Sequence, residues 1–175
     1  MICLLSNMIS ELSLFLPTYN EGETIKKTVF NSLKAIKKNV KKWEIIIVND
    51  GSKDNTQEIA EELAKNDSRV RVIKHKINRG YGGAFKSGLY ESKYDWVSFI
   101  DSDGQFDFSE ISKFIDKQQE TNADMVIGYY KKRQVSKFKI ITSKMWELAV
   151  FVLFGLHVKD IDSEDSLPYK NPKTK

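Results

Sequence analysis

The segment Glu44–Val48 contains four consecutive large apolar residues, three isoleucines and a valine, directly after a single glutamate. A strand with one solvent-exposed face alternates apolar and polar residues, whereas an unbroken β-branched run is typical of a parallel strand that is covered on both faces. Similar apolar runs occur at Ser13–Leu16, Val70–Ile73, Trp96–Ile100 and Met125–Ile127. The chain is therefore expected to form a largely parallel β-sheet.

The segments between these runs have the residue spacing of helices. Apolar residues in the first of them recur every three or four positions, at Ile25, Val29, Leu33, Ile36 and Val40. The same spacing recurs at Ile59–Ala64, Ala84–Leu89 and Ile111–Ile115. Asn20 is placed to cap the first helix, and Asp54 or Asn55 the second. Strands that alternate with helices in this way predict an α/β fold with helices on both faces of the sheet.

The length of 175 residues fits one α/β domain, which we place at residues 12–158. Residues 1–11 are interpreted as an N-terminal extension, and residues 159–175 as a polar tail that is expected to be disordered. No segment reaches the roughly 18–20 apolar residues that are needed to cross a bilayer. The nearly apolar segment Met145–Val158 is expected to be either a core helix or a helix that lies against lipid.

The composition excludes several kinds of site. The single cysteine, Cys3, rules out an internal disulfide framework and favours a reducing, cytoplasmic location. The two histidines, His75 and His157, are far apart and lack metal-ligand spacing, so a zinc site is not expected. The net charge of +4 is compatible with an anionic ligand or a membrane surface but predicts neither. No nucleic-acid partner is expected.

Four of the predicted strands are followed by polar or glycine-rich segments. The carboxyl ends of parallel strands share one edge of a sheet, and open α/β sheets bind their ligands there. Each segment taken alone is readily explained as a turn, but four of them at one edge predict a ligand-binding crevice. The segments are Pro17–Glu21, Asn49–Ser52, Asn78–Gly83 and Asp101–Asp103.

The segment 101–105 places two carboxylates and an amide within five residues, as Asp101, Asp103 and Gln105. Oxygen ligands of this kind suit a hard divalent cation, although Asp, Ser and Gly also favour ordinary turns. Two glycine-rich nucleotide motifs do not fit: a dinucleotide fingerprint that starts at Gly80 requires glycine where Phe85 stands, and no lysine follows the last glycine as a P-loop requires. The glycines are expected to allow close backbone approach to a ligand or to a neighbouring strand.

Four motifs, in their order along the chain, resemble those of the family-2 glycosyltransferases with the GT-A fold, over residues 12–162. The branch that they resemble most is the dolichyl-phosphate (polyprenyl-phosphate) mannose or glucose synthases, because Gly104-Gln105 follows the acidic pair. The motifs are Leu16–Glu21, Val48–Thr56, Asn78–Gly88 and Asp101–Gln105.

The resemblance implies a nucleotide-diphospho-hexose donor, linked to UDP or GDP, and a divalent cation, Mg²⁺ or Mn²⁺. It places Asp101 and Asp103 as catalytic residues that hold the metal and the donor diphosphate, with Gln105 as a further metal ligand. The other residues that it implies in substrate binding at the donor side are Pro17, Tyr19, Glu21, Asp50 and Gly80.

The implied acceptor is a polyprenyl phosphate, which would bring the protein to the cytoplasmic face of a membrane as a peripheral protein. A phosphate monoester has a second pKa of about 6, so it is a dianion near neutrality and can attack without a general base. A hydroxyl acceptor would need a carboxylate as base. In this branch, basic residues after the last core strand bind phosphate, and Lys132 and Arg133 occupy that position here. Arg133 is the expected catalytic contact; the alternative is a solvated charged surface.

The resemblance ends after Asp162, where the family continues with a Gly-Phe-Lys segment and this chain continues with Ser163–Pro168. The chain is therefore interpreted as cut short or frame-shifted at this point, on the acceptor side of the site. Three hypotheses remain open: inverting transfer of a hexose to a polyprenyl phosphate, transfer to a saccharide hydroxyl, and a fragment that binds nucleotide sugar without turnover.

Overall fold

A computed structural model of the chain describes residues 8–105 and 108–127, together with the backbone of residues 169 and 170. Its strands are β1 (Ile9–Thr18), β2 (Val40–Asn49), β3 (Val70–Lys74), β4 (Trp96–Phe99) and β5 (Tyr169–Lys170). They form one sheet in the order β3-β2-β1-β4-β5. The first four strands are parallel, and β5 is antiparallel to β4.

Helices connect the parallel strands, as the alternating pattern predicts. The helices are α1 (Ile25–Asn39), α2 (Thr56–Asn66), α3 (Tyr81–Glu91) and α4 (Ile111–Thr121), with a short 3₁₀ helix at Phe108–Glu110 before α4. The expected α/β fold with a largely parallel sheet is confirmed. Within the described ranges, no helix is long and apolar enough to cross a membrane. The apolar segment Met145–Val158 lies outside these ranges.

The core lies on both faces of the sheet. Leu14, Ile45 and Ile47 belong to one apolar cluster, which they share with residues of α1, α2 and α4. Phe15 and Ile46 belong to the cluster on the other face, which is covered by α3. Neighbouring residues of one strand point to opposite faces, so an unbroken apolar run supplies both clusters. Helices therefore cover both faces of the sheet, as predicted.

One of the two helix-cap predictions is wrong. α1 begins at Ile25 rather than directly after Asn20. Asn20 has a positive φ of 56°, and its side chain accepts a hydrogen bond from the backbone N–H of Lys53 at 2.8 Å. The residue that was expected to cap a helix therefore joins two loops instead. The N-cap position of α2 is Asn55, one of the two predicted residues, but its side chain makes no capping hydrogen bond. The carboxylate of the preceding Asp54 instead accepts hydrogen bonds from the N–H and the hydroxyl of Thr56, the first residue of α2, at 3.1 and 2.5 Å.

Three predicted segments differ from the structure at the ends of the described region. The strand expected at Met125–Ile127 is reduced to a single bridge residue, Met125, and the residues at its two ends are about half exposed. An apolar run of three residues is too short to specify a strand by itself. β1 begins at Ile9, inside the expected N-terminal extension, and β5 lies within the tail expected to be disordered.

The helix α3 approaches β1 closely because Gly88 has no side chain. A Cβ atom built on Gly88 would lie 2.3 Å from Cδ2 of Phe15, a fully buried residue. Phe15 also contacts the rings of Phe85 and Phe99, with centroid distances of 5.1 and 5.7 Å. The absence of a side chain at Gly88 therefore allows the close approach to a neighbouring strand that was expected of the glycines in this motif.

We expect Gly88→Ala to lower the free energy of unfolding by roughly 1–3 kcal/mol, because the added methyl group overpacks a core that has no room for it. Gly82→Ala in the same helix is the matched control, since a Cβ there meets no atom within 4 Å. That substitution is expected to stabilise the protein by up to about 1 kcal/mol through helix propensity. Urea denaturation of both variants measures the two changes, and equal stability of the two would contradict the packing argument.

A buried carboxylate, Glu44, ties several strands together at the end of the sheet away from the predicted crevice. Its side chain is 0% exposed and accepts hydrogen bonds from the Ser13 hydroxyl at 2.7 Å and from Nε of Arg71 at 2.9 Å. The backbone N–H of Lys93, just before β4, donates to the same carboxylate at 3.0 Å. The glutamate that precedes the apolar run of β2 is thus a structural ion-pair partner.

Candidate active site

The loop that follows β1 is hydrogen-bonded to the loop that follows β2. The backbone N–H groups of Asn20, Glu21 and Gly22 donate to side-chain oxygens of the β2 loop, at distances of 2.9, 2.9 and 3.1 Å. The acceptors are Ser52, Thr56 and Asp54. The two strand exits that were expected to converge therefore lie in direct contact.

The pKa of Asp54 reflects these contacts. Burial raises the pKa of its carboxyl group, but hydrogen bonds from Thr56 and from the N–H of Gly22 outweigh that effect and hold the pKa below its ordinary value. The ionised form, which accepts these hydrogen bonds, is thus favoured at neutral pH. Asp54 is therefore a charged anchor between the first two loops.

The acidic pair after β4 is positioned by the serine between its two members. Ser102 is 3% exposed, and its hydroxyl donates a hydrogen bond to the carbonyl oxygen of Pro17 at 2.7 Å. The hydroxyl oxygen of Thr24 lies 2.8 Å from the carbonyl oxygen of Ser102. Hydrogen bonds on both sides of Ser102 fix the backbone between Asp101 and Asp103. These two aspartates are partly exposed.

Each of the two carboxylates also has a local partner. The hydroxyl of Tyr81, the first residue of α3, donates to Oδ1 of Asp101 at 3.1 Å. The backbone N–H of Gln105 donates to Oδ1 of Asp103 at 2.8 Å, and Gly104 between them has a positive φ of 76°. The first contact connects the loop after β3 to the acidic pair, so all four strand exits are linked through hydrogen bonds.

The side chain of Asp50 is buried between the exits of β2 and β3. Its Oδ1 lies 2.5 Å from Nδ1 of His75, and both of its oxygens accept from the backbone N–H of Arg79, at 2.9 and 3.1 Å. Gly51 has a positive φ of 71°, and a Cβ there would lie 2.7 Å from the backbone nitrogen of Asn78. The two loops are therefore held together at Asp50 and Gly51.

The residues that the sequence assigned to the donor side lie at this edge of the sheet, with different exposure. Tyr19 is 41% exposed, Glu21 is partly exposed, and Asp50 is 3% exposed. Gly80 is exposed with a positive φ of 77°, and Pro17 is buried at the end of β1. Lys132 and Arg133 lie outside the described residues. The donor half of the predicted site is thus brought together.

Gln105 is one of the residues that line a polar groove. The groove has a volume of about 700 Å³ and is lined on one side by Lys27, Lys34 and Lys38 of α1. Gly104, Gln105, Ser109 and Ser112 line it as well. The hydrogen bond from its backbone N–H keeps Gln105 close to Asp103, and the same residue lines this groove.

The acidic pair fits a divalent cation that takes part of its coordination from a ligand. Among residues 8–105 and 108–127, no group of three or more His, Cys, Asp or Glu side chains is placed to hold a metal ion. Mg²⁺ is commonly held by only one or two carboxylates together with substrate phosphates and water. Asp101 and Asp103 are two partly exposed carboxylates of that kind.

Sequence reasoning missed several residues of this site. Ser102, Thr24 and Tyr81 position the acidic pair, yet they were not assigned a role. His75 was considered only as a zinc ligand, although it lies directly after β3 and so occupies a strand exit like the assigned residues. Position at the carboxyl end of a parallel strand was the signal that could have identified it.

The fold is an open, mostly parallel α/β sheet with a crevice at its strand exits, and comparisons with known proteins identify the family. The chain belongs to the family described as Glycosyl transferase family 2, whose model matches residues 13–168. The chain is 32% identical over 155 residues to the dolichyl-phosphate beta-glucosyltransferase ALG5A of Trichomonas vaginalis, covering 83% of this chain and 46% of that protein. It is 36% identical over 111 residues to the dolichyl-phosphate beta-glucosyltransferase of Saccharomyces cerevisiae, covering 60% of this chain and 33% of that protein. The chain thus spans less than half of the length of these two relatives.

Solved structures share the fold. Glucosyl-3-phosphoglycerate synthase from Mycobacterium tuberculosis, in complex with Mn²⁺, UDP and glucosyl-3-phosphoglycerate, matches with a TM-score of 0.65 and 21% identity. That match covers 91% of this chain and 57% of the other. The mannosyltransferase PcManGT from Pyrobaculum calidifontis, in complex with GDP-Man and Mn²⁺, matches with a TM-score of 0.58 and 17% identity, over 69% of this chain and 35% of that one. At these identities the likeness concerns the fold alone.

Proposed function

We propose that this chain is an inverting, divalent-metal-dependent glycosyltransferase that moves a hexose from a nucleotide-diphospho-sugar to a polyprenyl phosphate of the dolichyl type, and that its described residues form the donor-binding part. The observation that carries the proposal is the hydrogen-bonded convergence of four strand exits, which places Asp50 and the Asp101/Asp103 pair at one edge of the sheet. The dolichyl-phosphate glucosyltransferases to which the chain is similar support the choice of acceptor.

The donor nucleotide would bind along the exits of β1 and β2. Tyr19 offers a partly exposed aromatic face, and Asp50 offers a carboxylate at the floor of the crevice. Glu21 belongs to the same loop as Tyr19, Pro17 lies in β1 just before this loop, and the exposed backbone of Gly80 leaves room for a ligand. A UDP- or a GDP-linked hexose fits this assignment.

The donor diphosphate would lie next to Asp101 and Asp103, which would hold Mg²⁺ or Mn²⁺ with Gln105 as a further oxygen ligand. A bound divalent cation offsets negative charge that develops on a leaving diphosphate. Two relatives of the same fold are described in complex with Mn²⁺. The protein residues themselves serve to fix the donor in place.

The transfer would be a single displacement. An oxygen of the acceptor phosphate forms a bond to the anomeric carbon while the bond from that carbon to the nucleotide diphosphate breaks, and the electron pair leaves with the diphosphate. Attack from the face opposite to the leaving group inverts the anomeric centre. The acceptor is an anion, so basic side chains such as Lys132 and Arg133 are proposed to orient its phosphate group. A lipid acceptor implies peripheral contact at the cytoplasmic face of a membrane.

Transfer of a radiolabelled hexose from UDP-glucose or GDP-mannose to a purified polyprenyl phosphate, in the presence of MnCl₂ or MgCl₂, is the test of this proposal. We expect lipid-linked label with the polyprenyl phosphate and none with an oligosaccharide acceptor offered in parallel. A folded protein that binds neither nucleotide sugar in the presence of either metal would contradict the proposal.

Two alternatives give different outcomes in the same assay. Label on the oligosaccharide would favour transfer to a saccharide hydroxyl. Donor binding without transfer to any acceptor would favour a fragment without turnover, an alternative motivated by the chain spanning less than half of its dolichyl-phosphate glucosyltransferase relatives.

A further inference from the structure

We infer that His75 is a positioning residue of the donor pocket, which fixes the Asp50 carboxylate for the nucleotide through a hydrogen-bond chain that ends at Ser87. The inference rests on the proposed function, since it takes Asp50 to face the donor. His75 and Asp50 are 7% and 3% exposed. His75 is therefore an internal support of the pocket floor and would not touch the donor itself.

The geometry assigns the direction of these hydrogen bonds. Nδ1 of His75 lies 2.5 Å from Oδ1 of Asp50, and Nε2 lies 2.9 Å from the hydroxyl oxygen of Ser87. An ionised carboxylate can only accept, so Nδ1 carries a proton. The Ser87 hydroxyl can donate to Nε2 of a neutral imidazole or accept from Nε2–H of a protonated one. Both hydrogen bonds are therefore kept in either charge state of the ring.

These contacts leave the two oxygens of Asp50 in different situations. Oδ1 accepts from Nδ1 of His75 and, at 2.9 Å, from the N–H of Arg79. Among the described residues, Oδ2 has one hydrogen-bond partner, the same N–H of Arg79, at the longer distance of 3.1 Å. A carboxylate oxygen offers about two acceptor positions, so Oδ1 is occupied and Oδ2 can accept from a ligand. His75 thereby decides which oxygen is presented to the donor.

The packing of α3 against the sheet brings Ser87 within reach of His75. Ser87 directly precedes Gly88, where the missing side chain lets α3 lie against Phe15. The backbone N–H of His75 donates a hydrogen bond to the carbonyl oxygen of Asn49 at 2.9 Å, which fixes the backbone of this residue. The imidazole is thus fixed between the ends of β2 and β3 and the helix α3.

The test measures binding of UDP and of GDP, each with MnCl₂, by isothermal titration calorimetry, and the thermal midpoint of the nucleotide-free protein. Since a lost hydrogen bond contributes on the order of 1.4 kcal/mol, we expect His75→Leu to weaken binding of whichever nucleotide the wild type binds by about tenfold. His75→Asn keeps an N–H donor near Asp50 and is expected to bind within about threefold of wild type. Ser87→Ala should show a smaller loss than His75→Leu.

Ser98→Ala is the matched control for Ser87→Ala, because the buried hydroxyl of Ser98 has no hydrogen-bond partner among the described residues. If His75→Leu does not fold, the comparison of Ser87→Ala with Ser98→Ala decides the question. If the role of His75 is purely structural, its replacement will lower the thermal midpoint and leave nucleotide affinity unchanged. That result would overturn this inference but not the proposed function. Failure of the wild type to bind either nucleotide would instead overturn the proposed function, and the inference with it.

Discussion

Replacement of Asp103 by alanine is expected to reduce hexose transfer by roughly 100- to 1,000-fold, because Asp103 is proposed to bind the divalent cation and the loss of a metal ligand removes several kcal/mol of charge stabilisation in the transition state. Asp103 is partly exposed, and its Oδ1 accepts only a local hydrogen bond from Gln105 N–H among the contacts of the described residues. The fold should therefore survive the substitution. Initial rates with labelled donor and polyprenyl phosphate, over a range of Mn²⁺ concentrations, measure the effect.

Asp95→Ala is the matched control for this experiment. Asp95 is an exposed carboxylate that directly precedes β4, at the opposite end of the strand from Asp103. Its removal should leave both the transfer rate and the thermal midpoint close to those of the wild type. Equal rates for Asp103→Ala and the wild type at saturating Mn²⁺ would show that the acidic pair does not hold the metal.

Replacement of Glu44 by alanine is expected to lower the free energy of unfolding by about 3–5 kcal/mol, the largest loss of stability that we predict for this chain. The substitution leaves Arg71, whose side chain is 36% exposed, without its carboxylate partner. It also removes the shorter of the two hydrogen bonds of the Lys93 N–H, which donates to the Ser13 hydroxyl as well, at 3.2 Å. Urea denaturation at neutral pH measures the change.

Lys26→Ala provides the comparison for Glu44→Ala. Lys26 forms an ion pair with Glu62 at 3.4 Å, but the two side chains are 67% and 57% exposed. Exposed pairs of this kind contribute about 0–1 kcal/mol because water and salt screen them. A Glu44→Ala variant that loses no more stability than Lys26→Ala would mean that the buried carboxylate is not a structural tie between the strands.

The strands and helices could be predicted because their signals are local. The run Ile45–Val48 has no polar interruption, so a strand buried on both faces was the natural interpretation, and β2 confirms it. Two local signals did not predict the structure. Met125–Ile127 is apolar but pairs only at one residue, and Asn20 has the chemistry of a cap but a left-handed backbone that turns it towards Lys53.

The positions of the candidate site could be predicted from the topology, but the contacts that position its side chains could not. A parallel sheet brings the exits of its strands to one edge, so the sequence alone predicts Asp50, Asp101 and Asp103 at that edge. Which of them is buried, and which side chain supports it, depends on residues that are far apart in the chain. Ser102 and Pro17, which share a hydrogen bond, are separated by 85 positions.

The sequence by itself thus determined the α/β class, the order of its elements and the edge of the sheet where the site lies, because periodicity and strand-exit motifs are properties of neighbouring residues. Only the tertiary structure decided that Glu44 is a buried ion-pair partner and that His75 supports Asp50. Both contacts join residues more than twenty positions apart, at separations of 27 and 25. No periodicity encodes such pairs, since they form only when β2, β3 and α3 pack together.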